Sequence, residues 1–274
     1  PAEWIAWKAS KPPLAPNALL SIASDFHSLD LAETGAFSHR SPSSNYYPQG
    51  SWPWDRTRIE TYTNAILGPC ENVGYGGLAS LRDYPPIGTD PASLHSNLYC
   101  DATELTVGHR RAILSATARE IGLGNAHSKI YEAPWYWTME YDTQDFGCVS
   151  PNHFFTETIF FDANANGLYD PGEGVGGIQV HLWDGTREAA WYDESQGSGN
   201  FAVPLNDLEP GHVIWVELFN TSSVPRKISI PIGFNNLAEL EIPANMAYLV
   251  GSFVQPDGLI NVGFRDMSPA TTAP

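Results

Sequence analysis

Twelve consecutive residues, from Asp162 to Glu173, carry oxygen-bearing side chains at the spacing of a calcium-binding loop. Calcium prefers carboxylate, amide and backbone carbonyl oxygens, and a Glu at the twelfth position can bind it through both of its oxygens. Gly167 holds the sixth position, where such a loop turns sharply. The segment therefore predicts a calcium site. Its predicted ligands are Asp162, Asn164, Asn166, Asp170 and Glu173, with the backbone carbonyl of Leu168.

The segments on either side of this loop are of strand type. Residues 154–161 are aromatic and β-branched, and residues 177–183 alternate between apolar and polar side chains. A calcium ion here would join two strands, so we expect a structural ion and not a regulatory one. The alternative is a turn rich in Asn and Asp that binds nothing, because these residues also favour turns for local reasons.

Length and charge limit the classes of function. The chain has 274 residues, enough for two domains. It carries 31 acidic against 14 basic side chains, a formal net charge of −17, which disfavours nucleic acid and anionic membrane surfaces as partners. No apolar run approaches the roughly 20 residues that a membrane span needs. We expect a protein without nucleic-acid partners and without a membrane span.

The cysteines and the first residues bear on the cellular compartment. Cys70, Cys100 and Cys148 allow one disulfide and one free thiol, but the sequence leaves the pairing open. The segment that begins at Pro1 is typical of a mature chain from which a leader is absent. The expectation of a secreted or extracellular protein rests on the predicted calcium loop and on the resemblances described below.

Hydrophobic spacing predicts helices and some strands in the first half. A helix is expected from Asn17, which can cap it, to Thr34, with Gly35 as its end. Residues 41–58 and 83–91 are predicted as loops, and 56–66 as a short helix. Helical character returns over 102–118 with an interruption at Gly108, and strands follow at 120–124 and at 131–141, the latter broken at Pro134.

The second half is predicted to be entirely of strands, at a spacing typical of a β-sandwich. The expected strands are 154–161, 177–183, 200–204, 212–219, 226–231, 237–242, 247–253 and 258–264. We expect a first domain over residues 1–147, a linker over 148–153, a second domain over 154–266 and a tail over 267–274.

Four pieces of the first half occur in a familiar order. They are 27–39 (ending Phe-Ser-His), 71–73 (Glu-Asn-Val), 108–114 (Gly-His-Arg-Arg-Ala-Ile-Leu), and 121–124 with 136–138. Over residues 17–147 this order resembles the CAP superfamily, the SCP-like extracellular domain, in its bacterial form. The resemblance implies an α-β-α sandwich around a central antiparallel sheet. The fold class expected for the whole chain is α+β, this domain being followed by an all-β sandwich.

The same resemblance implies a shallow cavity lined by two histidines and one or two glutamates. Matched motif by motif, the cavity residues are His39, Glu71 and His109. The second glutamate of the animal and plant pattern is not found, and Glu104 stands near the place where bacterial members have a Trp-containing helix. An insertion at 79–100 is expected to reshape the rim of the cavity.

The second half is similar to the B-type repeats of bacterial surface adhesins. The calcium loop, residues 175–182, residues 199–201 and residues 208–211 carry this likeness. It implies a calcium-stiffened β-sandwich that acts as a spacer or docking module.

The cavity residues allow two kinds of chemistry. Neutral His39 and His109 can bind zinc, with Glu71 as a third ligand or as a base. Alternatively, the three side chains form a hydrogen-bonded network around a cleft for a partner. Taken alone, each is equally well a surface or helix-capping residue. Neither Ser38 nor Ser115 has a spacing that marks an activated nucleophile.

Three functions follow from these observations. The leading one is a secreted or surface-associated protein whose His- and Glu-lined cleft binds a lipid, peptide or glycan, without catalysis. The second is a metal-dependent, peptidase-like hydrolase that uses His39, His109 and Glu71. The third is a structural matrix or adhesion protein with a vestigial cavity.

Residues 52–54 (Trp-Pro-Trp) are either a recognition patch or, the interpretation we prefer, packing for a long loop.

Overall fold

The computed structural model describes thirteen stretches of the chain. They are residues 14–63, 65–101, 108–115, 117–149, 154–160, 170, 172–174, 176–183, 191–204, 215–220, 228–231, 252–254 and 260–262. The chain divides into two compact units: residues 16–150, and residues 1–15 with 151–274. The described residues form both helices and sheets, so the protein is of the α+β class.

The described helices all belong to the first unit. They are α1 (Ala18–Thr34), α2 (Pro53–Ile59), α3 (Pro91–Cys100) and α4 (Gly108–Ile113). The strands of its sheet are β1 (Ala15–Pro16), β2 (Ala65–Ser80), β3 (Glu120–Glu132) and β4 (Trp135–Val149). Of the helices in the described parts of the chain, none has the length and apolarity to cross a membrane.

Helix α1 has its start and its end fixed by local chemistry. The Asn17 side chain accepts hydrogen bonds from the backbone N–H groups of Leu19 and Leu20 at 2.9 and 3.1 Å. Gly35 takes the left-handed conformation, with φ 66°, and its N–H donates to the carbonyl of Leu31. The predicted helix from Asn17 to Thr34 is therefore confirmed.

A four-stranded sheet, in the order β1-β3-β4-β2, positions the first unit's side chains. Strands β3 and β4 form a hairpin in which Glu132 pairs with Trp135, and β2 pairs antiparallel with β4. The break predicted at Pro134 is the turn of this hairpin. Because side chains alternate along a strand, each of the three long strands sends successive residues to opposite faces.

Helix α1 packs against one face of this sheet at very short range. Gly122 and Gly124 of β3 lie against the backbone of α1 at Leu20 and Ser24, where any Cβ atom would overlap. The core on this face is apolar, and Leu31 of α1 takes part in it. Its buried members are Leu31, Ala32, Val73, Ala126 and Tyr141.

Helix α3 contacts the opposite face. A Cβ atom on Gly74 of β2 would lie in ordinary contact with Leu94 and Leu98 of α3. The sequence predicted neither β2 nor α3. Strand β2 contains Gly74, Gly76 and Gly77, which favour loops, and it lacks a simple polar–apolar alternation.

Several predicted boundaries need correction. The helix expected at 56–66 is α2, which begins at Pro53 because proline suits a first helical turn and because Asp55 caps the backbone N–H of Trp52 at 3.1 Å. The predicted loop at 41–58 accordingly ends before α2. In the predicted helical stretch 102–118, α4 covers Gly108–Ile113, and 102–107 lie outside the described residues. Strand β4 extends to Val149, into the predicted linker.

The second unit contains strands only, within its described residues. They are β5 (Phe154–Phe160), β6 (Ile178–Trp183), β7 (Trp191–Glu194), β8 (Asn200–Pro204), β9 (Trp215–Asn220), β10 (Ile228–Pro231), β11 (Ser252–Val254) and β12 (Ile260–Val262). Two sheets have the orders β10-β9-β6-β7 and β12-β11-β5-β8. The predicted strand 237–242 lies outside the described residues, and β7 was not predicted. The sandwich of the two sheets stays a prediction.

The cysteines are unpaired. Cys70, Cys100 and Cys148 are all free thiols, and burial raises the pKa of Cys70 to about 11. A half-buried thiol whose pKa is raised in this way is a poor nucleophile.

Candidate functional site

A buried carboxylate lies at the centre of the candidate site. Glu71 stands on β2 with its side chain 1 % exposed. One of its oxygens, Oε1, accepts a hydrogen bond from Nδ1 of His39 at 2.8 Å. The other, Oε2, forms an ion pair with the guanidinium of Arg56. Both carboxylate oxygens therefore have partners, and the buried negative charge is balanced by a buried positive one.

Arg56 holds three segments of the chain together. Its side chain is fully buried on α2, and its Nη1 donates to the backbone carbonyls of His39 and Ser51 at 3.1 and 3.0 Å. With Glu71 as its third partner, the guanidinium fixes the loop that carries His39 relative to β2. Such planar, multiple donation is what an Arg can do and a Lys cannot.

His39 is the solvent-facing member of this group. Its side chain is 47 % exposed, while Nδ1 donates to Glu71. In the neutral imidazole, this bond leaves the lone pair on Nε2. His39 therefore presents an oriented acceptor, which can bind a donor group, bind a metal ion or take up a proton.

His27 lies beneath His39 and is held neutral. It is fully buried on α1, and its Nε2–H donates to the carbonyl of Ser38 at 2.9 Å. Burial lowers the pKa of His27 to about 4, although Glu71, 3.9 Å from its Nε2, opposes that shift. Its Nδ1 has no partner among the described residues.

His109 has a different set of contacts. Its Nδ1 bonds to the carboxylate of Asp101 at 2.9 Å, and its backbone carbonyl accepts from Nδ2 of Asn72 at 3.2 Å. Asn72 follows Glu71 on β2, so its side chain points to the other face of the sheet. The structure thus brings His39 and Glu71 together, and places the contacts of His109 on the opposite face. Their functional roles stay predictions.

The two candidate nucleophiles are used in local turns. Ser38 Oγ accepts from the backbone N–H of Arg40 at 2.9 Å. Ser115 Oγ accepts from the N–H groups of Thr117 and Ala118 at 3.3 and 3.2 Å. In neither case does a histidine activate the hydroxyl in the described contacts.

An exposed aromatic surface adjoins the His39 loop. Trp52 and Trp54 stack with their ring centroids 5.1 Å apart, and the guanidinium of Arg40 lies 4.2 Å from the centre of the Trp52 ring. Trp54 is 46 % exposed. The Trp pair therefore both packs the loop and offers an indole to the solvent.

The fit of this site to zinc is poor. Glu71 already has Arg56 and His39 as partners, and Nδ1 of His109 is engaged by Asp101. Within the described residues, no three His, Cys, Asp or Glu side chains converge as metal ligands would. Zinc at His39 and His109 stays a prediction that these contacts do not favour.

The predicted calcium loop lies mostly outside the described residues. Asp162, Asn164, Asn166 and Leu168 are outside them, as is Glu104 of the first half. Asp170 and Glu173 are described, and the N–H of Asp170 donates to the Glu173 carboxylate at 3.0 Å. Two of the predicted ligands, Asp170 and Glu173, are therefore in contact, and the calcium site stays a prediction.

Sequence reasoning did not identify three residues around the site: Arg56, Asp101 and Asp145. Arg56 stands alone in an aromatic and proline-rich stretch, and no spacing rule connects it with Glu71, fifteen positions away. Asp101 does precede a Gly-His-Arg piece, but only the fold shows that the two meet. For Asp145 a signal was available, because an acidic residue inside a strand is rarely buried without a partner.

Comparison with known proteins gives limited information. No family model matches the chain, and no curated protein matches it. Among solved structures, the chain is similar to an extracellular protein containing an SCP domain from Bacillus anthracis str. Ames, at 20 % sequence identity and a TM-score of 0.34. The match covers 50 % of this chain and 34 % of that one, about a third of its length. Similarity at this level carries no argument for function.

Proposed function

We propose that the protein is an extracellular, CAP-like binding protein whose first unit presents His39 and its surroundings to a ligand. One observation supports this most: a buried Glu71–Arg56 ion pair holds a half-exposed imidazole in one orientation. A desolvated ion pair is costly to build, and here it serves to fix a solvent-facing group. The α-β-α sandwich implied by the sequence resemblance is part of this proposal.

The surroundings of His39 favour recognition over catalysis. Arg40, Trp52 and Trp54 add a cation and aromatic rings to the same surface, which suits peptides, glycans and lipid head groups. Hydrolysis has less support, because Ser38 and Ser115 serve local turns. A metal-dependent hydrolase that uses His39, His109 and Glu71 would need the last two to leave their present partners.

The second unit is proposed to be a spacer stiffened by calcium. The spacing of the loop from Asp162 to Glu173 supports this, together with the strands on either side of it. In this arrangement the second unit carries the binding unit and contributes no chemistry of its own.

Surface arrays of peptides, glycans and lipids test the binding function. The full chain should bind a defined subset of spots, and His39→Ala should abolish that binding. His127→Ala, an exposed histidine on β3, should bind as the wild type does. Binding that His39→Ala leaves unchanged would contradict the proposal. So would peptidase, esterase or glycosidase turnover that His39→Ala abolishes. No specific binding on any array would favour a matrix or adhesion role.

A further inference from the structure

A cavity of about 550 Å³ lies in the first unit, between α3 and the strands β3 and β4. This volume is within the range of small-molecule sites. Most of its strand residues (Ile121, Leu123, Asn125, Asp142 and Gln144) lie on the sheet face that α1 does not cover, while Gly124, Thr143 and Asp25 of α1 line it from the other side. It is therefore separate from the group around Glu71.

The walls of the cavity are largely apolar. Ile121 and Leu123 of β3 face Pro91 and Ala92 at the start of α3. Leu123 is 57 % exposed although it stands in the middle of a strand. An apolar group in the cavity would remove this surface from water, which is favourable in proportion to the area covered.

Two carboxylates give the cavity a negative charge. Asp142 of β4 and Asp25 of α1 line it, and burial raises the pKa of both carboxyls. Asp142 also accepts a hydrogen bond from Nδ2 of Asn125. Asp90 and Glu140 add further negative charge near Asp142. Among the described residues, no salt bridge to Lys or Arg involves these carboxylates.

The polar floor of the cavity is fixed by hydrogen bonds. Asn72 Nδ2 donates to Oε1 of Gln144 at 3.2 Å, and Gln144 Nε2 lies 3.0 Å from Nδ1 of His95. Since the amide nitrogen donates, this bond uses the lone pair of Nδ1 and requires a neutral imidazole. A charged His95 would lower the pKa of Asp142, but His95 carries no charge while it accepts this bond.

We propose that this cavity binds a small organic amine, with its apolar body against Ile121 and Leu123 and its ammonium group beside Asp142. Apolar walls alone would favour a neutral compound, because a charged one loses its hydration there without compensation. The carboxylates without Lys or Arg partners select a cation, and they penalise an anion. This site is independent of the function proposed for His39.

Calorimetric titration of the full chain at neutral pH tests the proposal with three probes of similar shape: 2-phenylethylamine, 2-phenylethanol and 3-phenylpropanoate. The amine should bind saturably and more tightly than the alcohol, and the carboxylate should not bind. Asp142→Asn should weaken amine binding by roughly tenfold, for the loss of one charged hydrogen-bond partner. Asp25→Asn, which removes a second negative charge from the lining of the cavity, should weaken it by a smaller factor. Asp25→Asn keeps the test valid if Asp142→Asn fails to fold, because Asp25 is exposed on α1.

Two control variants separate this site from the rest of the surface. Asp83→Asn removes a negative charge in an exposed loop and should leave amine affinity unchanged, as should His39→Ala. Absence of saturable amine binding overturns the proposal. Equal affinity for the three probes, or amine affinity unaffected by both Asp variants, does so as well.

Discussion

Glu71 and Asp145 lie directly opposite each other on the adjacent strands β2 and β4. Two acidic side chains in this relationship repel each other when both are ionised. Burial and the neighbouring Glu71 raise the pKa of Asp145 well above its ordinary value, and the charge of Arg56 only partly opposes this. Glu71 has the guanidinium of Arg56 as its counter-charge, whereas Asp145 has a hydrogen bond with the Ser24 hydroxyl, so a proton shared by this pair is favoured on Asp145.

Asp145→Asn should leave the protein at least as stable as the wild type at neutral pH. A carboxyl whose folded pKa is raised holds its proton in the folded state after the unfolded chain has lost it. Stability is therefore lost as the pH rises from about 4 through the folded pKa. The amide of Asn does not titrate in this range, so the free energy of unfolding of the variant rises relative to that of the wild type as the pH rises. Thermal unfolding of both across this range measures the gain. A variant markedly less stable than wild type at neutral pH would mean that Asp145 is ionised.

Glu71→Gln should destabilise the first unit by about 3–5 kcal/mol, because it leaves the buried guanidinium of Arg56 without a counter-charge. Denaturant unfolding of the full chain measures this loss. The double variant Glu71→Gln with Arg56→Met removes both charges and should recover a large part of it. A single variant that costs less than about 1 kcal/mol would show that the ion pair is not buried in solution.

His27 should make the stability of the first unit depend on mildly acidic pH. Its pKa falls from 6.5 in the unfolded chain to about 4 in the folded protein. Between these values only the unfolded chain binds the proton, so stability is lost as the pH falls through this window, by up to about 3 kcal/mol. His27→Gln can keep the bond to the Ser38 carbonyl but cannot take up a proton.

The measurement is the difference in unfolding free energy between wild type and His27→Gln at several pH values. The amount by which the unfolding free energy of His27→Gln falls below that of the wild type should decrease as the pH is lowered from 6.5 to about 4. Taking the difference removes the opposite trend contributed by Asp145. A difference that is constant with pH would show that His27 is accessible to protons in the folded state.

Gly124→Ala should be far more damaging than Gly74→Ala. At Gly124 a Cβ atom would overlap the α1 backbone at Ser24, and backbone cannot move aside cheaply. At Gly74 the nearest atom, Leu98 Cδ1, is 3.5 Å away, an ordinary contact. We expect a loss of at least about 1–3 kcal/mol for the first variant and little change for the second. Equal melting temperatures would mean that α1 does not pack on β3 in this way.

Calcium should stabilise the second unit. Removal of the ion by a chelator should lower the melting temperature of that unit and leave the first unit unchanged. A ligand that binds only the folded state, at a hundred times its dissociation constant, contributes about 2.7 kcal/mol. Asp162→Ala should mimic the chelator, and Glu194→Ala, an acidic residue outside the loop, should not. Identical calorimetric traces with calcium and with chelator would argue against the site.

The parts of the fold that sequence reasoning predicted are those set by neighbours in the chain. Asn17 and Gly35 fix the ends of α1 through contacts within four residues, so the helix was predictable to the residue. Strand β2 was not, because its glycines are explained only by distant residues that pack on them: Leu94 and Leu98 of α3 at Gly74, Thr89 and Leu94 at Gly76, and Met139 of β4 at Gly77. Tertiary contact, and not local preference, makes that segment a strand.

In the candidate site, too, the contacts between residues far apart in the chain could not be predicted from local sequence patterns. The contact between His39 and Glu71 joins residues 32 positions apart, and only the family resemblance connected them in advance. Nothing local to Arg56 indicates that it is their shared partner. His109 was grouped with Glu71 because their motifs follow in order. Its recorded backbone contact, however, is with Asn72, the next residue along the same strand.

The alternation of Glu71 and Asn72 also bears on how β2 finds its alignment. Glycine-rich strands are poorly specified and prone to slip along their neighbours. A slip of one residue would turn the Glu71 carboxylate toward α3 and leave the buried guanidinium of Arg56 facing an amide. The ion pair therefore favours the native register of β2 on β4, because every shifted pairing formed during folding separates Glu71 from Arg56.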